Sequence, residues 1–166
     1  MRKNRSFLPM ASSGMKVYFA ADHAGFDLKN VLLLFAKNKG YSVEDCGAYE
    51  KDPDDDYPNI VVCAAREVSK HPEHRAVIIG GSGQGEAMVA NRLPHVRAAV
   101  YYGGKPDIAR LSREHNDANV LSFGARFVKE EEAKDVLLDW LRRESPSEKR
   151  HQRRVMQIEQ LRNEYE

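Results

Sequence analysis

The sequence predicts an α/β protein, a single three-layer domain in which helices cover both faces of a five-stranded, mainly parallel sheet, followed by a C-terminal helical tail. Two observations support this prediction. Short apolar runs of strand length alternate along the chain with longer segments of helical spacing, which is the order typical of a parallel sheet. The length of 166 residues suits one domain with an appendage.

The individual elements follow from this alternation. We predict strands over residues 16–21, 41–46, 76–79, 96–101 and 120–123. Helical spacing occupies residues 26–39, 60–69, 106–113 and 130–143, and a further helix follows the glycine-rich turn at 80–86. We therefore expect a domain over 15–143, a disordered extension over 1–14, and a charged helical tail over 144–166. Because the tail has too few apolar residues to pack alone, we expect it to lie on a partner chain.

Composition excludes several classes of protein. Lys and Arg total 26 against 25 Asp and Glu, so the overall charge favours no nucleic-acid partner. No apolar run approaches the roughly 18–20 residues that span a bilayer, so we expect no membrane partner. Cys46 and Cys63 form neither a disulfide framework nor a metal-ligand spacing. Two such cysteines fit a reducing compartment, and we expect a cytoplasmic protein.

The segment GGSGQGE at residues 80–86 connects a predicted strand to a predicted helix. Backbone N–H groups in such a turn point toward a negative ligand. The outer glycine spacing matches a nucleotide-binding P-loop, but Glu86 and Ala87 stand where that loop needs Lys and then Ser or Thr. Since a fixed carboxylate repels a polyphosphate, the sequence argues against nucleotide binding at this turn.

Polar side chains follow or flank several predicted strands. Asp22 and His23 come after the first strand, Ser82 and Glu86 come after the third, and residues 113–119 and 124–126 bracket the fifth. Because ligands bind outside the carboxyl ends of parallel strands, we expect these groups to converge there. An acid with imidazoles and arginines indicates proton transfer on an anionic small molecule. No compact ligand spacing indicates a metal site.

Seven motifs, taken together, point to one family. They are DHAGF, DYP, GGSGQGE, ANRLP, SREHNDANV, FGAR and RHQRR, in this order from Met15 to about Leu161. They resemble the type B ribose-5-phosphate isomerase family, whose close relatives isomerise six-carbon sugar phosphates such as galactose or allose 6-phosphate. The resemblance implies a Rossmann-like single domain and a homodimer or dimer of dimers with composite active sites. It also implies that ribose 5-phosphate and ribulose 5-phosphate are interconverted, as in the pentose phosphate pathway, without metal or cofactor.

The resemblance assigns roles to individual residues. In one branch of the family a cysteine at the end of the third strand removes the C2 proton, and that position is Gly80 here. In a second branch the base is a glutamate one turn later, which matches Glu86. Ser82 is implied as a helper donor, and His115 as the group that opens the furanose ring. The other implied substrate contacts are Asp22, His23, Tyr57, Gly81, Gly83, Gln84, Gly85 and Asn116, and the implied phosphate contacts are Arg126, Arg150 and Arg154.

Other interpretations stay open at this point. A glutamate in the first turn of a helix contributes about 0.3–1 kcal/mol through the helix dipole, with no catalytic role. Arg150 and Arg154 also fit a solvated charged helix or a nucleic-acid patch, although interspersed acids weaken the latter interpretation. Gly80 in place of the cysteine also fits a sugar-phosphate-binding module without catalysis.

Overall fold

The computed structural model describes residues 14–165. Apart from Gly14, the extension predicted over residues 1–14 lies outside the described residues. The elements, in chain order, are β1 (Lys16–Ala21), α1 (Phe26–Asn38), β2 (Ser42–Asp45), α2 (Tyr57–Lys70), β3 (Arg75–Gly80), α3 (Gln84–Ala90), β4 (Ala98–Tyr101), α4 (Asp107–Asn116), β5 (Val120–Gly124), α5 (Glu130–Arg142) and α6 (Lys149–Tyr165).

The five strands form one sheet in the order β2-β1-β3-β5-β4. Every pairing is parallel, with Ala20 opposite Ile78 and Gly80 opposite Gly124. The predicted α/β class is thereby confirmed, and the sheet is wholly parallel rather than mainly parallel. The central strand β3 is buried along its whole length, as expected for a strand covered on both faces.

Each face of the sheet carries its own layer of helices, because successive side chains of a strand point to opposite faces. On one face α1, α4 and α5 bury Leu32, Ala109 and Trp140 against Phe19 and Leu121. On the other face α2 and α3 pack against the sheet in a second buried cluster, whose members include Ala20, Val61, Ile78, Ala90 and Val120. Within residues 14–165, no helix is long and apolar enough to cross a membrane.

Three element boundaries differ from the prediction by two or more residues. Helix α2 begins at Tyr57, three residues early, because Pro58 is favourable in the first turn of a helix. Helix α4 continues through Asn116 and ends at Asp117, which has left-handed backbone angles (φ 50°). Strand β4 begins at Ala98, because the preceding Arg97 N–H donates to the Asn119 side chain rather than to a strand.

The last helix, α6, packs on α4 of its own chain. Its Glu159 accepts a hydrogen bond from Arg97 and lies 3.0 Å from His95 Nδ1. Its outward-facing residues include the exposed apolar side chains of Met156 and Ile158. The division into a domain at 15–143 and a tail at 144–166 that reaches a partner chain stays a prediction.

Candidate active site

The strand order reverses between β1 and β3, and at the carboxyl edge of an open α/β sheet such a reversal leaves a crevice. Strand β2 lies on one side of β1 and β3 lies on the other, so the connections after β1 and β3 diverge. Ligands of open α/β sheets bind at such a switch point. Asp22 and His23 follow β1 here, and the turn Gly81–Gly83 follows β3.

Close packing against its neighbours fixes the backbone of this turn. Gly83 has a φ of 76°, in the left-handed region that favours glycine. Its carbonyl accepts a 2.6 Å hydrogen bond from the buried Ser122 hydroxyl. A Cβ on Gly124 would lie 2.7 Å from the Ser82 carbonyl oxygen, so glycine is required there for the two backbones to approach. Contacts with Ser122 and Gly124 of β5 therefore fix the backbone conformation of the turn.

The turn presents backbone donors to the crevice. The N–H groups of Ser82 and Gly83 have no acceptor among the described residues. The Ser82 hydroxyl oxygen accepts a 3.3 Å hydrogen bond from the Gln84 N–H, and this bond holds the Ser82 side chain over the turn. Fixed donors of this kind stabilise an oxyanion because they need no reorganisation as charge develops.

Glu86, in the first turn of α3, is the buried acid of the crevice. Its side chain is only 4% exposed. Burial raises the pKa of its carboxyl group, and the charge of nearby Asp22 raises it further. A Cβ on Gly80 would lie 1.8 Å from Glu86 Oε1, so the carboxylate occupies the space that a side chain at position 80 would fill. An acid with a raised pKa is suited to accept and return protons near neutrality.

Three predicted substrate residues surround the same crevice. The buried Asp22 carboxylate accepts a 2.9 Å hydrogen bond from the Gly25 N–H, which fixes its orientation. The Tyr57 ring packs on Gly85, where an added Cβ would meet the hydroxyl oxygen at 2.6 Å. The Arg126 guanidinium lies over Gly81, with Cζ at 3.2 Å from the position of an added Cβ.

His23 is bonded to a residue that the sequence did not single out. Its Nδ1 lies 2.6 Å from Asp55 Oδ1, in the acidic segment that precedes α2. Asp22, His23 and Asp55 each bring one potential ligand atom within 4.8 Å of the others. Because His23 Nδ1 is already engaged by Asp55, the arrangement is an imidazole–carboxylate pair rather than a preformed metal site.

The remaining predicted residues lie at the opposite edge of the sheet. His115 and Asn116 are the last residues of α4, the helix that precedes β5. Asn119 lies immediately before β5, and its carbonyl oxygen accepts a 2.9 Å hydrogen bond from the Ala76 N–H near the start of β3. Strand β5 has five residues, and at about 3.3 Å per residue it separates the two edges by about 16 Å. The expectation that residues 113–119 converge with Glu86 is therefore wrong within one chain, because a segment entering a parallel strand lies at its amino end.

His115 belongs to a second group of polar side chains at this amino edge. Its ring stacks on His151 at a centroid distance of 4.1 Å and an interplanar angle of 10°. Arg150 and Arg154 are exposed on the same helix, and Arg150 pairs with Glu148 at 2.8 Å. A cavity of about 420 Å³ opens beside these residues; its lining includes Glu114, His115, Arg142, Ser147, Glu148 and His151. One chain thus carries two separate groups of predicted site residues.

Known proteins place this chain in a family. The sequence profile described as Ribose/Galactose Isomerase matches residues 17–158. The chain belongs to the ribose/galactose isomerase family. The family membership predicted from the seven motifs is thereby confirmed.

Individual relatives share most of the chain. Ribose-5-phosphate isomerase B of Mycobacterium tuberculosis is 38% identical over 143 residues, 86% of this chain and 87% of that protein. The Escherichia coli protein of the same name is 37% identical over 151 residues, 89% and 99% of the two chains. The crystal structure of ribose-5-phosphate isomerase B from Mycoplasma genitalium with bound ribulose 5-phosphate has a TM-score of 0.86 and 33% identity. The match covers 91% of this chain and 98% of that one.

Sequence reasoning missed two residues that contact the predicted site residues. Asp55 contacts His23 across 32 positions of sequence, and the acidic run KDPDDDYP indicated only a turn. His151 stacks on His115, but the sequence assigned it no role within the motif RHQRR. The motif RHQRR itself was a usable signal for His151, because a histidine flanked by predicted phosphate ligands lies near them on a helix.

Proposed function

We propose that this protein is an aldose–ketose isomerase that interconverts ribose 5-phosphate and ribulose 5-phosphate through an enediol, without a metal ion. The observation that carries the proposal is the buried Glu86 carboxylate above Gly80, beside a turn with unengaged N–H groups. The names of its relatives supply the substrate, since they are ribose-5-phosphate isomerases.

The reaction follows from these groups. Glu86 removes the proton from C2 of the open-chain aldose and returns it to C1, while the proton on O2 is transferred to O1. Negative charge develops on O1 in between, and the N–H groups of the turn stabilise it. Such donors are commonly worth about 3 kcal/mol each, and a positioned base adds roughly 10²–10⁴-fold. The raised pKa of Glu86 favours this exchange.

We further propose that the site is composite, with a second copy of the chain supplying His115, Asn116, Arg150 and Arg154. The separation of the two groups across the sheet supports this assembly, because neither group alone offers base, ring-opening imidazole and phosphate ligands. Exposed apolar side chains lie near both groups and suit a subunit contact. They are Met88, Tyr102 and Phe127 near the carboxyl edge, and Met156, Ile158 and Leu161 on α6.

Subunit complementation tests this proposal. Glu86→Gln and His115→Asn should each be inactive on cyclic ribose 5-phosphate. Mixing the two variants after mild dissociation creates heterodimers with one intact site, so random pairing should restore about a quarter of wild-type activity. Each variant dissociated and reassociated alone is the matched control. A mixture as inactive as its parents would contradict the composite site.

The substrate range and the location belong to the same proposal. We expect ribose 5-phosphate to be turned over in preference to galactose or allose 6-phosphate, and a coupled assay with all three compares kcat/KM directly. Dominant activity on a six-carbon substrate would overturn the pentose assignment. A cytoplasmic location is supported by the two free thiols, Cys46 and Cys63.

A further inference from the structure

Asp55 and His23 form a pair at the mouth of the crevice. Asp55 Oδ1 lies 2.6 Å from His23 Nδ1, a distance typical of a charge-assisted hydrogen bond. The Asp55 side chain is 8% exposed and that of His23 is 32% exposed. The carboxylate is therefore covered by protein, while the imidazole is partly exposed.

The burial of Asp55 has an electrostatic consequence. Its second oxygen, Oδ2, is buried and has no hydrogen-bond partner among the described residues. A buried carboxylate is unfavourable unless a positive group compensates it, and the His23 ring is the group bonded to it. The charged groups that act on His23 are Asp55, Asp22 and, with the opposite sign, Arg126. The two negative charges outweigh the one positive charge, so together these groups favour the protonated form of His23, the imidazolium.

We propose that Asp55 is a positioning residue that holds His23 as an imidazolium, with Nδ1–H on the carboxylate and Nε2–H presented to the phosphate of the substrate. This inference rests on the proposed function for the identity of the anion. The assignment of Nδ1 to Asp55 leaves Nε2 as the ring nitrogen able to reach a ligand. Arg126, beside the same crevice, adds a second positive charge for the phosphate.

The pair makes phosphate affinity depend on pH in a defined direction. The hydrogen bond to Asp55 raises the pKa of His23. The imidazolium is present below that pKa, so the contribution of His23 to phosphate binding is full at low pH and is lost as the pH rises through it. Removing the Asp55 charge lowers the pKa, and the weakening should then begin at lower pH. A neighbouring opposite charge shifts a pKa by roughly 1–3 units.

The test compares Asp55→Asn with Asp54→Asn. Both variants remove one negative charge from the same segment, but Asp54 is exposed, and the carboxylate paired with His23 is that of Asp55. We would titrate His23 by NMR and measure the dissociation constant of inorganic phosphate from pH 5.5 to 9. For Asp55→Asn we expect the His23 titration to move to lower pH and phosphate binding above pH 8 to weaken about tenfold. At pH 5.5 wild type and variant should bind equally.

Asp54→Asn should leave both measurements within twofold of wild type. The variant Asp55→Glu retains the negative charge and should keep the His23 titration close to that of wild type. If Asp55→Asn is poorly folded, Asp55→Glu provides the test in its place. In the isomerase assay, Asp55→Asn should raise KM at high pH and leave kcat within about twofold, whereas a merely structural defect would lower kcat at every pH.

The outcomes separate this inference from the proposed function. An unshifted His23 titration in Asp55→Asn, in a protein that still isomerises ribose 5-phosphate, would overturn the role of Asp55 alone. A wild-type protein that binds phosphate with the expected pH dependence but has no isomerase activity would support the pair and overturn the proposed function.

Discussion

Adding a single methyl group at Gly80 should displace the base of the proposed reaction. In Gly80→Ala the new Cβ would lie 1.8 Å from Glu86 Oε1, 2.1 Å from Cδ and 2.7 Å from Oε2. To regain an ordinary contact of 3.4 Å, the carboxylate must move by about 1.6 Å. Because Glu86 is only 4% exposed, the protein around it must move as well.

The size of the effect follows from that displacement. A misplacement of about 1 Å can cost roughly 10²-fold in rate, so we expect kcat to fall by about that factor while KM changes little. Overpacking a buried site costs about 1–3 kcal/mol, and we expect the free energy of unfolding to fall within this range. The assays are steady-state isomerisation of ribose 5-phosphate and urea denaturation.

The matched control is the same substitution in a Glu86→Ala background. With the carboxylate removed, Gly80→Ala should cost little further stability and no further activity, so the two substitutions should be strongly non-additive. Wild-type kcat in Gly80→Ala, or equal stability losses in both backgrounds, would refute the close contact between Gly80 and Glu86 and with it the position of the base.

Three further predictions concern other parts of the site. Truncation after Ser147 should raise KM for ribose 5-phosphate at least about tenfold, since one charged hydrogen bond is worth about 1.5–3 kcal/mol; an unchanged KM would exclude the tail from the phosphate site. Activity should survive EDTA and thiol alkylation, because the proposed reaction uses neither a metal ion nor a thiol and burial raises the pKa of Cys46; loss after EDTA would indicate a metal-assisted hydride shift. Glu86→Gln should raise the Tm at pH 8, since the raised carboxyl pKa makes ionisation unfavourable in the folded protein, and this gain should shrink at pH 4; a loss of Tm at pH 8 would favour a purely structural helix-start acid.

The part of the site near β1 and β3 was predictable from the sequence. Asp22, Ser82 and Glu86 directly follow strands whose apolar runs are unmistakable, and the carboxyl ends of parallel strands share one edge. The raised pKa of Glu86 follows from its burial, which the sequence alone did not predict.

The position of His115 was also predictable and was misjudged, because residues 113–119 lead into β5 and strand direction alone places them at the amino edge. One contact depended on packing that sequence spacing does not encode. The contact between Asp55 and His23 joins two loops 32 residues apart, and only the packing of α2 on the sheet brings them together.

The central claim, that Glu86 transfers the proton between C2 and C1, is tested most directly by solvent deuterium incorporation at C2, followed by NMR in Glu86→Gln. The amide is nearly isosteric, and a first-turn acid contributes at most about 1 kcal/mol, so the variant should fold and still bind the sugar phosphate. We predict that exchange slows by at least about 10²-fold. Exchange at the wild-type rate in a folded, substrate-binding Glu86→Gln protein would contradict the mechanism.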